Sequence, residues 1–287
     1  MKTTKKLLVI YGPTAVGKTN LAIQLALQHK TEIISADSRQ FFKEMKIGTA
    51  VPEQEELDTA NHHFIQHKSI HDNYNVGLFE KEAISKIEQL FEYHNTLIMV
   101  GGSGLYIDAV CKGLDTFPDI DETLRKKLRQ KFEDYGLQWL QDVVKKIDPI
   151  FYASSDVNNY QRLLRCLEVC KQSGQSFSSF KNKQNKTRPF EVEYISIKMD
   201  REKLYQRIND RVDIMMKKGL LQEVESLIKF QDLNALKTVG YSELFQYLNN
   251  YISLERAIKL IKQNSRRYAK RQMTWLKRYP FNWIENQ

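Results

Sequence analysis

The run Gly12-Pro13-Thr14-Ala15-Val16-Gly17-Lys18-Thr19 has the spacing of a phosphate-binding loop: a glycine, four residues, then Gly-Lys-Thr. In such a loop successive backbone N–H groups converge on phosphate oxygens, and the following helix N-terminus adds partial positive charge. Lys18 can reach the terminal phosphates, and the Thr19 hydroxyl can ligate Mg²⁺. An ordinary strand-to-helix turn is the competing reading, and the flanks argue against it. Residues 7–11 (Leu-Leu-Val-Ile-Tyr) read as a buried strand, and Leu21, Ala22, Leu25 and Ala26 recur at helical spacing. The chain is therefore expected to bind a phosphate or a diphosphate.

Asp37 follows the next apolar stretch, within Ser35-Ala36-Asp37-Ser38-Arg39-Gln40. There it can take a proton from an attacking hydroxyl or amine, while Gln40 can hydrogen-bond a base edge. The alternative is that Asp37 or Ser38 only caps a helix. A third apolar stretch, residues 96–100, runs into Gly101-Gly102-Ser103-Gly104. A hydrolytic ATPase normally ends such a strand in a carboxylate for Mg²⁺ and water. With neither that carboxylate nor an Asn-Lys-x-Asp guanine signature, a motor or switch is not expected. Arg162 and Arg165, three apart in Gln161-Arg162-Leu163-Leu164-Arg165, can grip phosphates of a nucleic acid or of a donor under a lid, or simply belong to a surface helix. His63, His67 and His71 are spaced to line one helix face, which invites a metal reading, but no cysteine or carboxylate completes a set.

Apolar strands alternating with amphipathic helices must position these residues, which implies an α/β fold built on a parallel sheet covered on both faces. Strands are expected at residues 5–11, 32–36, 96–100 and 192–199, with helices at 20–29, 78–93 and from about 105. Ligands in such sheets bind beyond the carboxyl ends of the strands. Strand signals vanish between residues 113 and 188, where helical stretches appear at 122–135, 137–147 and 159–173 and a polar basic stretch closes the segment. The expected organisation is a P-loop core, residues 1–112 and 189–287, interrupted by an all-helical insertion, residues 113–188. After the strand at residues 192–199, helices are expected to the end.

Composition narrows the class. Cys111, Cys166 and Cys170 are odd in number and lack C-x-x-C spacing, which predicts reduced thiols rather than disulfides or a zinc site. No stretch approaches a membrane-spanning length, and the apolar run after the N-terminal lysines is too short for a secretory signal. The net charge is +9. Residues 256–278 hold Arg256, Lys259, Lys262, Arg266, Arg267, Lys270, Arg271, Lys277 and Arg278 and no acidic residue, so this segment alone matches that excess. A solvated helix face or a polyanion contact both fit such a cluster. Tyr268 and Trp275 are assigned to the apolar side of this helix.

The ordered set of Gly12–Thr19, Ser35–Gln40, Lys46-Ile47-Gly48-Thr49-Ala50, His62-His63-Phe64, Val100–Tyr106, Gln161–Arg165, Thr238-Val239-Gly240-Tyr241 and Arg271-Gln272-Met273-Thr274-Trp275 resembles the tRNA dimethylallyltransferase (isopentenyltransferase) family over essentially the whole chain. Ser103 stands where many relatives have Thr, and Phe41-Phe42 where a Tyr is common. The chain also ends soon after Trp283, without the zinc finger of eukaryotic cytosolic relatives, as in the compact bacterial form. The resemblance implies that the loop, Gly12 to Thr19, cradles the diphosphate of dimethylallyl diphosphate with Thr14 helping to position it. The five-carbon group would pass to N6 of the adenosine 3′ to the anticodon, in tRNAs reading codons that start with U. Catalytic roles fall to Asp37 as proton acceptor and to Lys18 and Thr19, with Mg²⁺ at Thr19 as cofactor. Contacts to the anticodon stem-loop fall to Asp37, Ser38, Arg39, Gln40, Ser103, Arg125, Gln161, Arg162, Leu163, Leu164 and Arg165. A cytoplasmic monomer without membrane contact is expected. The alternatives are a P-loop small-molecule or nucleoside kinase using ATP and a non-catalytic RNA-binding ATP sensor.

Overall fold

The computed structural model describes residues 4–181 and 186–285. In chain order it runs β1 (Lys6–Tyr11), α1 (Lys18–His29), β2 (Ile33–Ser35), α2 (Gln54–Thr59), β3 (His62–His63), α3 (Val76–Leu90), β4 (Thr96–Gly101) and α4 (Gly104–Lys112). Then follow α5 (Glu122–Ile147), α6 (Pro149–Ser154) and α7 (Tyr160–Ser173). The chain continues through β5 (Glu191–Lys198), α8 (Arg201–Lys217), α9 (Leu220–Ser226), α10 (Tyr241–Leu248), α11 (Leu254–Leu276) and β6 (Asn282–Glu285). These elements form two compact units, residues 1–112 with 187–287, and residues 113–186.

The first unit is built on a parallel sheet of order β3-β2-β4-β1-β5-β6. Its central strands are apolar without interruption because both faces are covered. Leu7, Val9, Leu97 and Met99 pack with Phe79, Ala83, Ile87 and Val110 of α3 and α4 on one side. Leu8, Ile10, Ile98 and Val100 pack with Ala22 and Ala26 of α1 on the other. Registry then sets the site. β4 lies between β1 and β2, pairing Gly101 with Tyr11 and Val100 with Ser35. The loop after β1, the turn after β2 and the glycines after β4 therefore emerge side by side.

The expected strands and helices appear within a few residues of their predicted limits, with three differences. α1 begins at Lys18, not Asn20, because Gly17 at φ 107 supplies the left-handed cap. The two-residue β3 and the edge strand β6 are additions, the latter in a segment expected to be helical. His63, His67 and His71 do not share a helix face, since residues 64–75 follow β3 as turns and extended chain.

The second unit packs α5, α6 and α7 around Leu140, Val144, Phe151, Leu163 and Leu167. Gly136 (φ 74, ψ −170) bends α5 between the two predicted helices. Asp148 accepts hydrogen bonds from Phe151 N, Ser178 N and the Ser178 hydroxyl at 2.7–2.9 Å, capping α6. Residues 182–185 of the predicted basic stretch lie outside the described residues.

Gly101 is a tight point of the sheet edge, because a Cβ there would run into the Ala36 carbonyl. The obstructing atoms are backbone, with no flexible side chain to give way, so Gly101→Ala is expected to cost about 2 kcal/mol. Thermal denaturation should show a midpoint lowered by roughly 4–8 °C; an unchanged midpoint would refute this packing.

Candidate functional site

At the carboxyl edge of the sheet lies a cavity of about 710 Å³, lined by residues of the first unit. Thr14, Ala15, Gly17, Lys18 and Thr19 of the phosphate loop face it, as do Asp37, Arg39 and Gln40 of the turn after β2 and residues 46–53. Gly101 and Gly102 complete the sheet side, with Arg207 and Arg211 from α8 and Tyr268 and Gln272 from α11.

The loop is a strained, pre-formed structure. Ala15 at φ 65 and Gly17 at φ 107 turn it so that it leads into the N-terminus of α1. Gln272 braces it: its Oε1 accepts from Thr14 N (2.9 Å) while its Nε2 donates to Gly102 O (2.8 Å). Lys18 Nζ donates to Pro13 O at 2.8 Å, folded onto its own loop. Arg211 donates to the Thr14 hydroxyl at 3.2 Å. Burial and then the charge of Arg211 lower the Lys18 pKa to about 7, with Asp37 pulling the other way. Lys18 and Arg211, with Arg207 nearby, face Asp37 and Glu56 within electrostatic reach, a centre with room for further anionic charge. A phosphate or diphosphate supplies it.

Asp37 Oδ1 accepts from Arg39 N at 2.9 Å, which closes a local turn rather than capping a helix. Ser103 accepts from Ser38 N (3.0 Å) and donates to the Ser38 hydroxyl (3.1 Å), tying this turn to the end of β4. Tyr268 stands near this turn, its pKa raised to about 12 by burial and then by the charge of Asp37. It therefore remains a neutral phenol beside the carboxylate.

Several predicted site residues do other work in this structure. Ser103 is 8% exposed and its hydroxyl is engaged by Ser38, so it holds the Asp37 turn. The Gln40 amide donates to Thr49 O (3.2 Å) and Ala50 O (2.8 Å) and so fastens a loop. Val16 packs into a core with Ile197, Leu204 and Ile208, and only its backbone serves the loop. Leu163 and Leu164 must be corrected: they are 0% and 8% exposed in the core of the helical unit, on the face of α7 opposite solvent. Gln161 and Arg162 are exposed on the same helix, and Arg165 is half-buried beside Glu168 and over the Phe117 ring. Arg125, also in the helical unit, pairs with Glu122 and Glu168.

The histidines disperse. His63 pairs with Glu32 at 2.7 Å, His67 approaches Glu82 at 3.7 Å, and His71 packs edge-on to Phe230. His62 donates to Ala60 O, and burial lowers its pKa. The carboxylates that were missing from the sequence pattern are present in space, each serving a different imidazole. Among the described residues, the one group of His, Cys, Asp and Glu that converges is Asp148, Cys166 and Cys170 in the helical unit. Hydrogen bonds from the backbone already occupy Asp148 and Cys170, so this group reads as core packing.

Sequence reasoning missed Arg207 and Arg211, although their i, i+4 spacing on a helix capped by Asp200 was a usable signal. It also placed Tyr268 on the apolar side of α11, where it instead lines the cavity. Gln272 had no signal beyond its place in the Arg-Gln-Met-Thr-Trp run.

Comparison with known proteins adds a second line of support. The IPP transferase family pattern matches residues 40–279. A tRNA dimethylallyltransferase of Christiangramia forsetii is 52% identical over 280 residues, covering 97% of this chain and 93% of that protein. One from Flavobacterium johnsoniae is also 52% identical, covering 96% and 91%. The solved structure of a tRNA isopentenylpyrophosphate transferase from Bacillus halodurans matches with TM-score 0.72 at 38% identity, covering 98% of this chain and 90% of that one. A eukaryotic dimethylallyltransferase solved acting on tRNA matches with TM-score 0.83 at 28% identity, covering 98% and 74%.

With its pKa near 7, Lys18 is largely neutral above that pH in the free protein. A bound diphosphate favours the ammonium, so binding above pH 7 takes up a proton and affinity falls as pH rises. Calorimetric titration with inorganic diphosphate at about pH 8, in buffers of different ionisation enthalpy, tests this against Lys18→Arg, whose guanidinium stays charged. The native protein is expected to take up about one proton more than the variant; equal uptake would remove Lys18 from this role.

Proposed function

The chain belongs to the IPP transferase family, and we propose that it is a tRNA dimethylallyltransferase that moves the five-carbon group of dimethylallyl diphosphate to N6 of the adenosine 3′ to the anticodon. The observation that carries this reading is that the phosphate loop and Asp37 line one cavity, with Lys18 and Arg211 electrostatically coupled to the Asp37 carboxylate. At about 710 Å³ it lies in the range of small-molecule sites and has room for a donor and a flipped base.

The chemistry follows from that arrangement. An allylic diphosphate reacts by C–O cleavage, so the first requirement is stabilisation of the departing diphosphate. Backbone amides of residues 15–19, Lys18 once released from Pro13 O, and Arg211 meet it with charge already oriented. The Thr19 hydroxyl lines the same cavity and offers an oxygen donor of the kind Mg²⁺ takes, so Thr19 fits the ion and would hold it. Bound there, Mg²⁺ would neutralise diphosphate charge. The second requirement concerns the nucleophile. The exocyclic amine of adenine is weak because its lone pair is delocalised into the ring, and Asp37 accepts its proton as the C–N bond forms. Arg39 N, donating to Asp37 Oδ1, holds the carboxylate in orientation. The neutral Tyr268 phenol adds an aromatic wall beside it.

The adenine must leave its stack to reach Asp37, which costs less in a single-stranded loop than in a duplex. The basic residues of α11 support such a partner. Arg256, Lys259, Arg267, Lys270 and Arg271 are exposed and recur on one side of the helix. Lys262 and Arg266 turn instead to Asp213 and Asn209 of α8. A kinase reading would account for the loop and Asp37 but leaves this exposed basic face without a purpose.

Purified protein with unmodified tRNA and labelled dimethylallyl diphosphate is expected to place label in tRNA, whereas γ-labelled ATP places none. Asp37→Ala should retain tRNA affinity and lose about 10²–10⁴ in turnover. Label arriving from ATP alone would sink the transferase reading, and full turnover by the variant would remove Asp37 as the base.

A further inference from the structure

Seven consecutive residues, Lys46 to Pro52, form one wall of the cavity. Their backbone is held from outside by a single carboxylate. Glu223 of α9 accepts from Lys46 N (3.0 Å) and Ile47 N (2.7 Å) through Oε2, and from Gly48 N (3.0 Å) through Oε1. The Tyr241 hydroxyl donates to the same Oε1 at 2.6 Å. Tyr241 is fully buried, and its ring lies where a Cβ on Gly48 would come within 2.5 Å. From inside, Gln40 fastens the same loop through Thr49 O and Ala50 O, and Gln40 ends the turn that carries Asp37. A continuous line of hydrogen bonds thus joins α9 and α10 to the wall and the wall to the turn bearing Asp37.

The geometry points to Glu223 as a positioning residue that keeps this wall closed against water while the allylic C–O bond breaks. The inference rests on the prenyl-transfer reading above. Three adjacent N–H groups and a buried phenol converge on one carboxylate. Without it they lose their shared acceptor, and the wall loses its outer support. Water entering there competes with adenine. In that side reaction the C–O electron pair leaves with the diphosphate, the water oxygen bonds to the allylic carbon, and the surplus proton passes to solvent, yielding dimethylallyl alcohol and diphosphate. Exclusion of water is what separates transfer from hydrolysis of a reactive group.

The experiment counts diphosphate released and prenyl groups incorporated into tRNA in the same reaction. Wild-type protein is expected to give a ratio near one. Glu223→Gln is expected to raise the ratio about 5-fold and to lower kcat for transfer about 10- to 100-fold. KM for tRNA should stay within about 3-fold, because Glu223 faces the loop backbone. Tyr241→Phe keeps the ring against Gly48 and removes one hydrogen bond, so it should shift the ratio in the same direction by less. It also carries the test if Glu223→Gln melts out in a thermal scan. A folded Glu223→Gln or Tyr241→Phe with an unchanged ratio overturns the inference. Wild-type protein that transfers nothing from dimethylallyl diphosphate overturns the parent reading instead.

Discussion

The site depends on one buried amide. Gln272, 5% exposed near the end of α11, fixes three groups at the site: its side chain meets Thr14 N and Gly102 O, and its own carbonyl accepts from the Tyr11 hydroxyl. Each belongs to a strand end or the loop leaving it. Parallel pairing aligns β1 with β4 but says nothing about where the loops beyond them go. Gln272 supplies that information, using both ends of its amide so that neither is left unpaired in the interior. Gly102 has no side chain because a Cβ there would run into this amide. A glutamate at 272 could accept from Thr14 but could not donate to Gly102, which explains why an amide rather than an acid stands there.

Around that brace, charges of both signs share one cavity. Lys18 and Arg211 sit at the phosphate loop, and Asp37 occupies the neighbouring turn. Electrostatic coupling between them is visible in Lys18, where burial and Arg211 act against Asp37. Lys18 answers the conflict by hydrogen-bonding Pro13 O. An arriving diphosphate replaces this weak acceptor with strong ones, so part of the organisation needed for binding is already built.

The sheet and its loops were legible in the sequence because both carry local signals. Uninterrupted apolar runs mark strands buried on two faces, and Gly-Lys-Thr after such a run marks the phosphate loop. Asp37 was legible by its place after the second strand. Residues acting over long separations were not. Glu223 reaches a loop some 175 residues earlier, and Gln272 reaches Thr14 across 258 residues. No periodicity encodes such a pairing. Leu163 and Leu164 failed for the opposite reason. They lie within a polar, functional-looking run, yet helical geometry turns them to the core while Gln161 and Arg162 face solvent. β6 was missed because four residues after a proline give too short a pattern to separate from a helix end.

The same packing explains why this loop need not belong to a nucleotide hydrolase. In those enzymes the strand beside the loop ends in a carboxylate that holds Mg²⁺ and the attacking water. Here that position falls at Gly101 and Gly102, where side chains would strike the Ala36 carbonyl and the Gln272 amide. The restriction is steric: at Gly101 the obstacle is the backbone of Ala36, and at Gly102 a side chain would displace the Gln272 amide from its partners. Among the described residues, the carboxylate at a neighbouring strand end that lines this cavity is Asp37, one strand farther along after β2. An acid at that remove from the phosphates is placed to serve an acceptor entering from the side. In the proposed reaction the driving force then resides in the allylic diphosphate bond, and the protein's part is to hold the leaving group, admit the amine and exclude water.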